Sequence, residues 1–296
     1  MARYQYQIFV PGGNKTALVL GINGLENDSA LRKAVQDKIL SRHEADADGE
    51  VEQVGFISLD QTAPELLMTG GEFCGNATRS AAAYYLQKAK CGEARIKVSG
   101  TKKPVKAGLS AKGPLLEAWV EMPLVEDLPA AIMPVKDGFY WVSIEGISHL
   151  VVPEEQSIPY LKAILSSENK VAQINIALEV LKTAINENSL LVDKACGVIF
   201  LENCVDGNSA AILKMHPFVH VVTAGTTYYE TACGSGAMCV GLYNYSQRRQ
   251  SINLPLLQPS GKIITAEVEC SDDGVLLKGK ISGGIEAGET GEVEYS

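Results

Sequence analysis

The chain has 296 residues, of which 46% are hydrophobic and 21% charged, and a net charge of −9. That length allows two domains with buried cores, and the composition excludes a disordered chain. The acidic balance, without a Lys/Arg stripe, excludes nucleic acid as an expected partner. No apolar run is long enough for a bilayer-crossing helix, and the N-terminus lacks the apolar core of a secretory signal, so a cytoplasmic protein without a membrane partner is expected.

Tyr4 to Val10 alternates and is rich in aromatic and β-branched residues, which predicts a strand. Pro11-Gly12-Gly13-Asn14 is a turn, and Thr16 to Leu20 the returning strand of a hairpin. Asp28-Ser29 offers an N-cap, after which Leu31, Val35 and Ile39 fall at helical spacing. His43 to Glu50 reads as an acidic loop, Val51 to Leu59 as a strand, and Leu66 to Met68 as a short one. Thr69-Gly70-Gly71 then turns into a helix from about Asn76 to Lys88. Its polar positions are few, with Arg79 and Gln87 read as its exposed ones, so burial on most sides is expected. Strands follow at Arg95 to Ser99 and around Leu115 to Met122.

After Pro134 the plan starts again. Phe139 to Ile144 and His149 to Val152 read as strands around a Gly146 to Ser148 turn. Ile158 to Leu165 and Val171 to Thr183 read as helices, and Cys196 to Leu201 as a strand. His220 to Thr223 leads to a helix from about Ser235 to Gln247, which ends in Arg248-Arg249, the charge its dipole favours.

An internal repeat organises this order. Gln53 to Ile57 matches Cys196 to Phe200 in type, Cys74-Gly75-Asn76-Ala77 matches Cys233-Gly234-Ser235-Gly236, and Val98-Ser99-Gly100 matches Pro259-Ser260-Gly261. Each S-G turn is followed by a lysine and another strand. Seven cysteines are an odd count in a chain without an export signal, so no disulfide framework is expected. With no C-x-x-C and few histidines, no metal site is expected either. Cys91, Cys196, Cys204, Cys239 and Cys270 read as small buried hydrophobes. Cys74 and Cys233 differ, because each precedes a helix where free N–H groups and the dipole converge. Such a position favours thiolate, with thiol pKa values falling to roughly 3.5–7.5.

Two like halves would bring these helix N-termini face to face across a cleft that holds a carboxylate. A thiolate on one side and a thiol on the other could then remove an α-proton and return one to the opposite face. The dipoles would stabilise the enediolate character that builds meanwhile, and no cofactor is needed.

The motifs C-G-N-A-T-R (Cys74 to Arg79) and E-T-A-C-G-S-G-A (Glu230 to Ala237) resemble those of the cofactor-independent racemases and epimerases of the diaminopimelate epimerase type. Asn14, Gln53 in E-Q-V-G-F, and His149 match as well, and the likeness runs nearly full length. The resemblance implies an α/β (α+β) fold of two pseudo-symmetric domains, each a curled mixed sheet around a central helix. Residues 1–123 with 283–296 would form one half, the last strand returning at about Gly283 to Glu294, and 124–282 the other. It implies Cys74 and Cys233 as acid/base thiols, and the backbone of Gly75, Asn76, Gly234 and Ser235 as the carboxylate cradle.

Three features that grip a distal carboxylate in diaminopimelate epimerases are missing. Thr223-Ala224-Gly225-Thr226-Thr227 has no arginine, Gly146-Ile147-Ser148-His149 lacks the asparagine, and Gly197-Val198 replaces an Asn-Val pair. A doubly charged end would be buried without partners. The shortened G-x-E-F-C-G-N-A-T form resembles instead the histidine racemase branch. Glu52, Gln53 and Glu72 suit a neutral or basic side chain, so histidine or another polar or basic amino acid is the expected small-molecule substrate.

Several alternatives stay open. Asn14 and Gln53 serve either a turn or the site, and Glu52 and Glu72 either the surface or the substrate. Glu230 either caps the approach to its helix or meets the substrate amine, and His149 reads as a structural histidine. A diaminopimelate epimerase is the alternative enzyme; an amino-acid-binding or thiol-redox protein without turnover is the alternative of another class. A homodimer is held open as the assembly.

Overall fold

The computed structural model describes residues 2–22, 24–44, 50–87, 92–112, 115–127, 131–205, 210–222 and 225–295. Two compact units emerge, Met1–Glu121 with Ser282–Ser296, and Met122–Ile281.

In the first unit, β1 (Ala2–Pro11) and β2 (Lys15–Leu20) form an antiparallel hairpin, and β2 runs parallel to β3 (Val51–Ile57). The order continues through β4 (Glu65–Met68), β5 (Gly92–Val98), β6 (Val105–Lys112) and β7 (Leu115–Glu121). The late strand β16 (Leu276–Tyr295) returns to pair antiparallel with β1, from Ala2↔Tyr295 to Pro11↔Ile285. Helix α1 (Ser29–Arg42), capped by the Asp28 carboxylate, covers a core of Val35, Ile39, Val54 and Phe56.

Helix α2 (Gly75–Leu86) packs against every strand from β1 to β7, so this sheet curls around it. Side chains that are small apart from Arg79 permit that approach: Gly75 to Ala83 are all buried. β6 contains a glycine, a poor strand former. Gly108 pairs with Trp119 of β7, and a Cβ there would lie 2.5 Å from the indole ring. The missing side chain is the space the indole occupies.

In the second unit, β8 (Ile132–Pro134), β9 (Tyr140–Ile144), β10 (Ile147–Val152), β11 (Ala195–Val205) and β12 (Ala211–Val221) lie in order. β14 (Ile252–Leu257) and β15 (Ile263–Cys270) continue that order, and β13 (Thr226–Tyr229) pairs with β12. Helices α3 (Glu154–Leu165) and α4 (Lys170–Asn188) bury Leu161, Ile164, Ala177 and Leu181 in one core with Phe200 and Phe218. Helix α5 (Gly234–Arg248), the counterpart of α2, packs on β8, β9, β10, β14 and β15. The expected α+β fold, curled sheets each around a helix of small residues, is the observed one. No helix among the described residues is long and apolar enough to cross a membrane.

Several boundaries and exposures differ from expectation. α3 starts at Glu154, because Glu154 and Glu155 favour the positive end of its dipole and Pro159 is tolerated inside it. β12 extends across Pro217, which argues against a strand from sequence alone. Its carbonyl accepts the Glu230 N–H at 3.0 Å just past the end of β13, so the side on which its N–H is missing lies where that ladder stops. Arg79, read as exposed, is fully buried. Cys196 and Cys239 are buried as expected, but Cys204 and Cys270, near strand ends, are only half-buried, and all six described cysteines are free. Cys91 and most of the acidic loop lie outside the described residues.

Gly108→Ala should lower the free energy of unfolding by about 1–3 kcal/mol, the usual cost of forcing atoms into filled space. Urea denaturation of the variant measures it; an unchanged midpoint would show that the indole can move aside.

Candidate active site

Both cysteines cap a helix with sulfur. Cys74 is extended (φ −133°, ψ 113°) and its Sγ accepts the Ala77 N–H at 3.4 Å. Cys233 is nearly identical (φ −124°, ψ 110°), its Sγ accepting the Gly236 N–H at 3.3 Å. The cap carbonyls take the next amides, Thr78 and Ala237, each at 3.0 Å. Gly75 and Asn76, and Gly234 and Ser235, are therefore the N–H groups that lie before the first acceptor in each helix.

The repeated S-G turns hold the chain entering each cap. The Ser99 hydroxyl donates to the Glu72 carbonyl at 2.8 Å, and the Ser260 N–H donates to the Thr231 carbonyl at 2.9 Å. Glu72 and Thr231 each stand two residues before their cysteine. Gly100 and Gly261 follow with φ of +79° and +77°, where glycine alone is unstrained. At Gly100 a side chain would also run into the Phe73 backbone.

In the first unit a chain of amides leads away from the sulfur. Cys74 Sγ donates to Gln53 Oε1 at 3.0 Å, and Gln53 Nε2 donates to Asn14 Oδ1 at 2.8 Å. Asn14 Nδ2 then donates to Glu52 Oε2 at 2.7 Å. Thr16 braces the middle, accepting from Gln53 at 2.8 Å and donating to Asn14 at 3.1 Å. Asn14 and Thr16 are fully buried. Four of the residues expected at the site, Asn14, Glu52, Gln53 and Cys74, are thus in one hydrogen-bonded series.

Arg79 lies on α2 three residues after Asn76. Its side chain runs back toward the helix start and Nη2 donates to Asn76 Oδ1 at 2.8 Å. Nε and Nη1 are buried and have no hydrogen-bond partner among the described residues. Burial pulls the guanidinium down to about 10, and the charge of a Cys74 thiolate opposes that shift. A buried cation at the positive end of a helix is unfavourable by itself, so this end of α2 is suited to negative charge.

In the second unit Cys233 is buried beside ionisable groups. Ser235 Oγ lies 3.5 Å from its sulfur and 2.9 Å from His149 Nε2. The buried Gln258 accepts the Cys233 N–H at 3.0 Å. Burial pushes the Cys233 thiol well above the usual range, and the Glu230 carboxylate raises it further by charge and by a side-chain hydrogen bond. The preference of a helix terminus for thiolate is thus opposed at Cys233 by its burial and by Glu230, which leaves it as the thiol of the expected thiol and thiolate pair. Burial likewise pulls His149 down to about 3, so it is neutral at physiological pH. A Cβ on Gly197 would lie 2.6 Å from His149 Nδ1, which explains a glycine there.

Glu230, Gly234 and Ser235 thus gather around Cys233, and Gly75 and Asn76 around Cys74. Glu72, half-buried, enters through its backbone carbonyl. Thr16, Arg79 and Gln258 were missed by sequence reasoning. Thr16 lies two residues after Asn14, at the spacing of one side of an extended chain, and could have been found that way. Arg79 and Gln258 have no matching partner in the repeat.

The chain matches the family model described as "Histidine racemase CntK N-terminal domain" over residues 5–293. It is 23% identical over 292 residues to a histidine racemase of Staphylococcus aureus, covering 94% of each chain. A solved structure of a phenazine biosynthesis protein of the PhzF family from Bacillus anthracis aligns with a TM-score of 0.66 at 14% identity, covering 100% of both chains. A hydroxyproline epimerase from Agrobacterium vitis aligns with a TM-score of 0.63 at 13% identity, covering 98% of this chain and 92% of that one. Both structures share the fold.

Site-resolved alkylation should find Cys233 slow at pH 7, with a rate still rising above pH 9. Glu230→Gln removes the neighbouring negative charge and should move that midpoint down. An unmoved midpoint would mean that Glu230 does not govern this thiol.

Proposed function

The chain belongs to the histidine racemase family and is an isomerase, and from that premise we propose that it inverts the α-carbon of free histidine with Cys74 and Cys233 as its acid/base pair and no cofactor. The observation that carries this reading is the duplicated sulfur cap, in which each thiol stands beside two helix-terminal N–H groups. A carboxylate held by such groups keeps its α-carbon next to the sulfur, and the same N–H groups stabilise the charge that moves onto it as the proton leaves.

The two thiols enter with different duties. Burial and Glu230 keep Cys233 protonated, which makes it the proton donor in the direction starting from this state. Cys74, which carries its proton in the observed state, becomes the base once that proton is lost, and the buried Arg79 charge favours the resulting thiolate. In the reverse direction the roles exchange, because each turnover leaves the proton on the other sulfur. Histidine is favoured over a dicarboxylic substrate because the stretch before Cys233 offers no arginine. An amino acid with a basic or neutral polar side chain meets Glu52 and Gln53 without burying a second unpaired carboxylate.

The test is α-proton exchange in deuterium oxide with reduced protein and single L-amino acids, followed by NMR. Loss of the α-proton signal should occur with histidine, and Cys74→Ser or Cys233→Ala should reduce it by at least ~100-fold, the scale of a lost acid/base group. Exchange of LL-diaminopimelate with meso product would replace this substrate. Binding without exchange of any amino acid would remove catalysis from the account.

A further inference from the structure

The amide chain behind Cys74 has a direction, and that direction restricts protons. An ionised carboxylate can only accept hydrogen bonds, so Glu52 requires the NH2 end of Asn14. Asn14 must then turn its oxygen to Gln53, and Gln53 must answer with its own NH2. That leaves the Gln53 oxygen facing sulfur, and an oxygen there accepts only from S–H. A Cys74 thiolate needs the opposite polarity, with Gln53 Nε2 donating to it.

We propose that Glu52 sets the protonation state of Cys74 through the side chains of Asn14 and Gln53, acting as a positioning residue for the base. While Glu52 is a carboxylate, the chain holds Cys74 as a thiol. When Glu52 takes up a proton from solvent, both amides rotate by about half a turn and Cys74 can release its proton to solvent. No covalent bond within the amides breaks, and one proton is gained for one lost. The Thr16 hydroxyl, which both donates and accepts in the observed state, can reverse its roles and serve either polarity. The buried setting of Asn14 and Thr16 makes a mismatched polarity costly, because water is not there to repair it. The other ionisable side chains that these elements contribute are Lys15 of β2, Glu72 of the loop before α2, and Arg79, Tyr84 and Tyr85 of α2, and all are common to the variants compared below. The catalytic use of this coupling rests on the two-thiol reading, but its test does not.

The experiment follows the pH dependence of Cys74 alkylation, site-resolved by mass spectrometry. Glu52→Gln replaces the carboxylate by a group that donates or accepts equally, so the chain reorients freely. The Cys74 midpoint should fall by about one pH unit, with alkylation at pH 7 rising about tenfold. In a Gln53→Met background, where the chain is cut, Glu52→Gln should leave the midpoint unmoved. Asn14→Ala cuts it one link further away and gives the same comparison if the Gln53→Met protein does not fold. No shift on Glu52→Gln, or an equal shift with the chain cut, would overturn the proposal, the second by showing that charge acts directly through space. Because no substrate is present, α-proton exchange without a shift sinks only this inference. A shift without exchange sinks only the racemase reading.

Discussion

A thiol sulfur in place of an oxygen at the start of a helix is the constraint from which the rest of the structure follows. Serine or aspartate at an N-cap satisfies an amide and is finished. Cysteine does the same more weakly, through a longer contact, and brings a group that can hold or release a proton. For the cap to form, the preceding residues must arrive extended, and the S-G turns, bonded to the carbonyl two residues earlier, hold them so. For the helix start to reach the sulfur's surroundings, the helix must sink into its sheet, and the predominance of small side chains over its first two turns allows that.

The same burial decides the thiol chemistry. A helix terminus stabilises a nearby negative charge by about 0.3–1 kcal/mol, occasionally ~2 when partly buried. Removing a charge from water costs several kcal/mol. At Cys233 the second effect wins, and Glu230 adds to it, so the thiol is the stable form. At Cys74 the balance includes a buried guanidinium on the same helix and a hydrogen-bonded path to a carboxylate. Two caps alike in backbone thus differ in electrostatics, which a reaction with a separate donor and acceptor requires.

Much of the fold was readable because it is periodic. Alternation along Tyr4 to Val10 and spacing along α1 and α4 follow from which faces are buried, and the repeated C-G pair and S-G turn mark positions where backbone geometry leaves few choices. What escaped depends on contacts distant in sequence. Arg79 looks like a solvent-facing residue until the sheet closes over α2. β12 is hidden by Pro217, whose acceptability depends on where a later strand stops. At the site, the identities of Cys74, Cys233, Asn14, Gln53 and Glu230 were visible as motif positions. Their relations were not, because the order of donors from Cys74 to Glu52 and the effect of Glu230 on Cys233 are properties of packing. The local preference of helix termini for thiolates does not by itself say which of the two cysteines keeps its proton, because burial and neighbouring charge enter only with the packing.

The central claim, two thiols with separate duties, is tested most directly by where deuterium first appears. L-Histidine converted in deuterium oxide should give D-histidine that carries deuterium at the α-carbon from the earliest time points, while the unreacted L-histidine keeps its protium. Deuterium entering the recovered L-histidine as fast as the product would contradict the account, because a single group would then be removing and returning the proton.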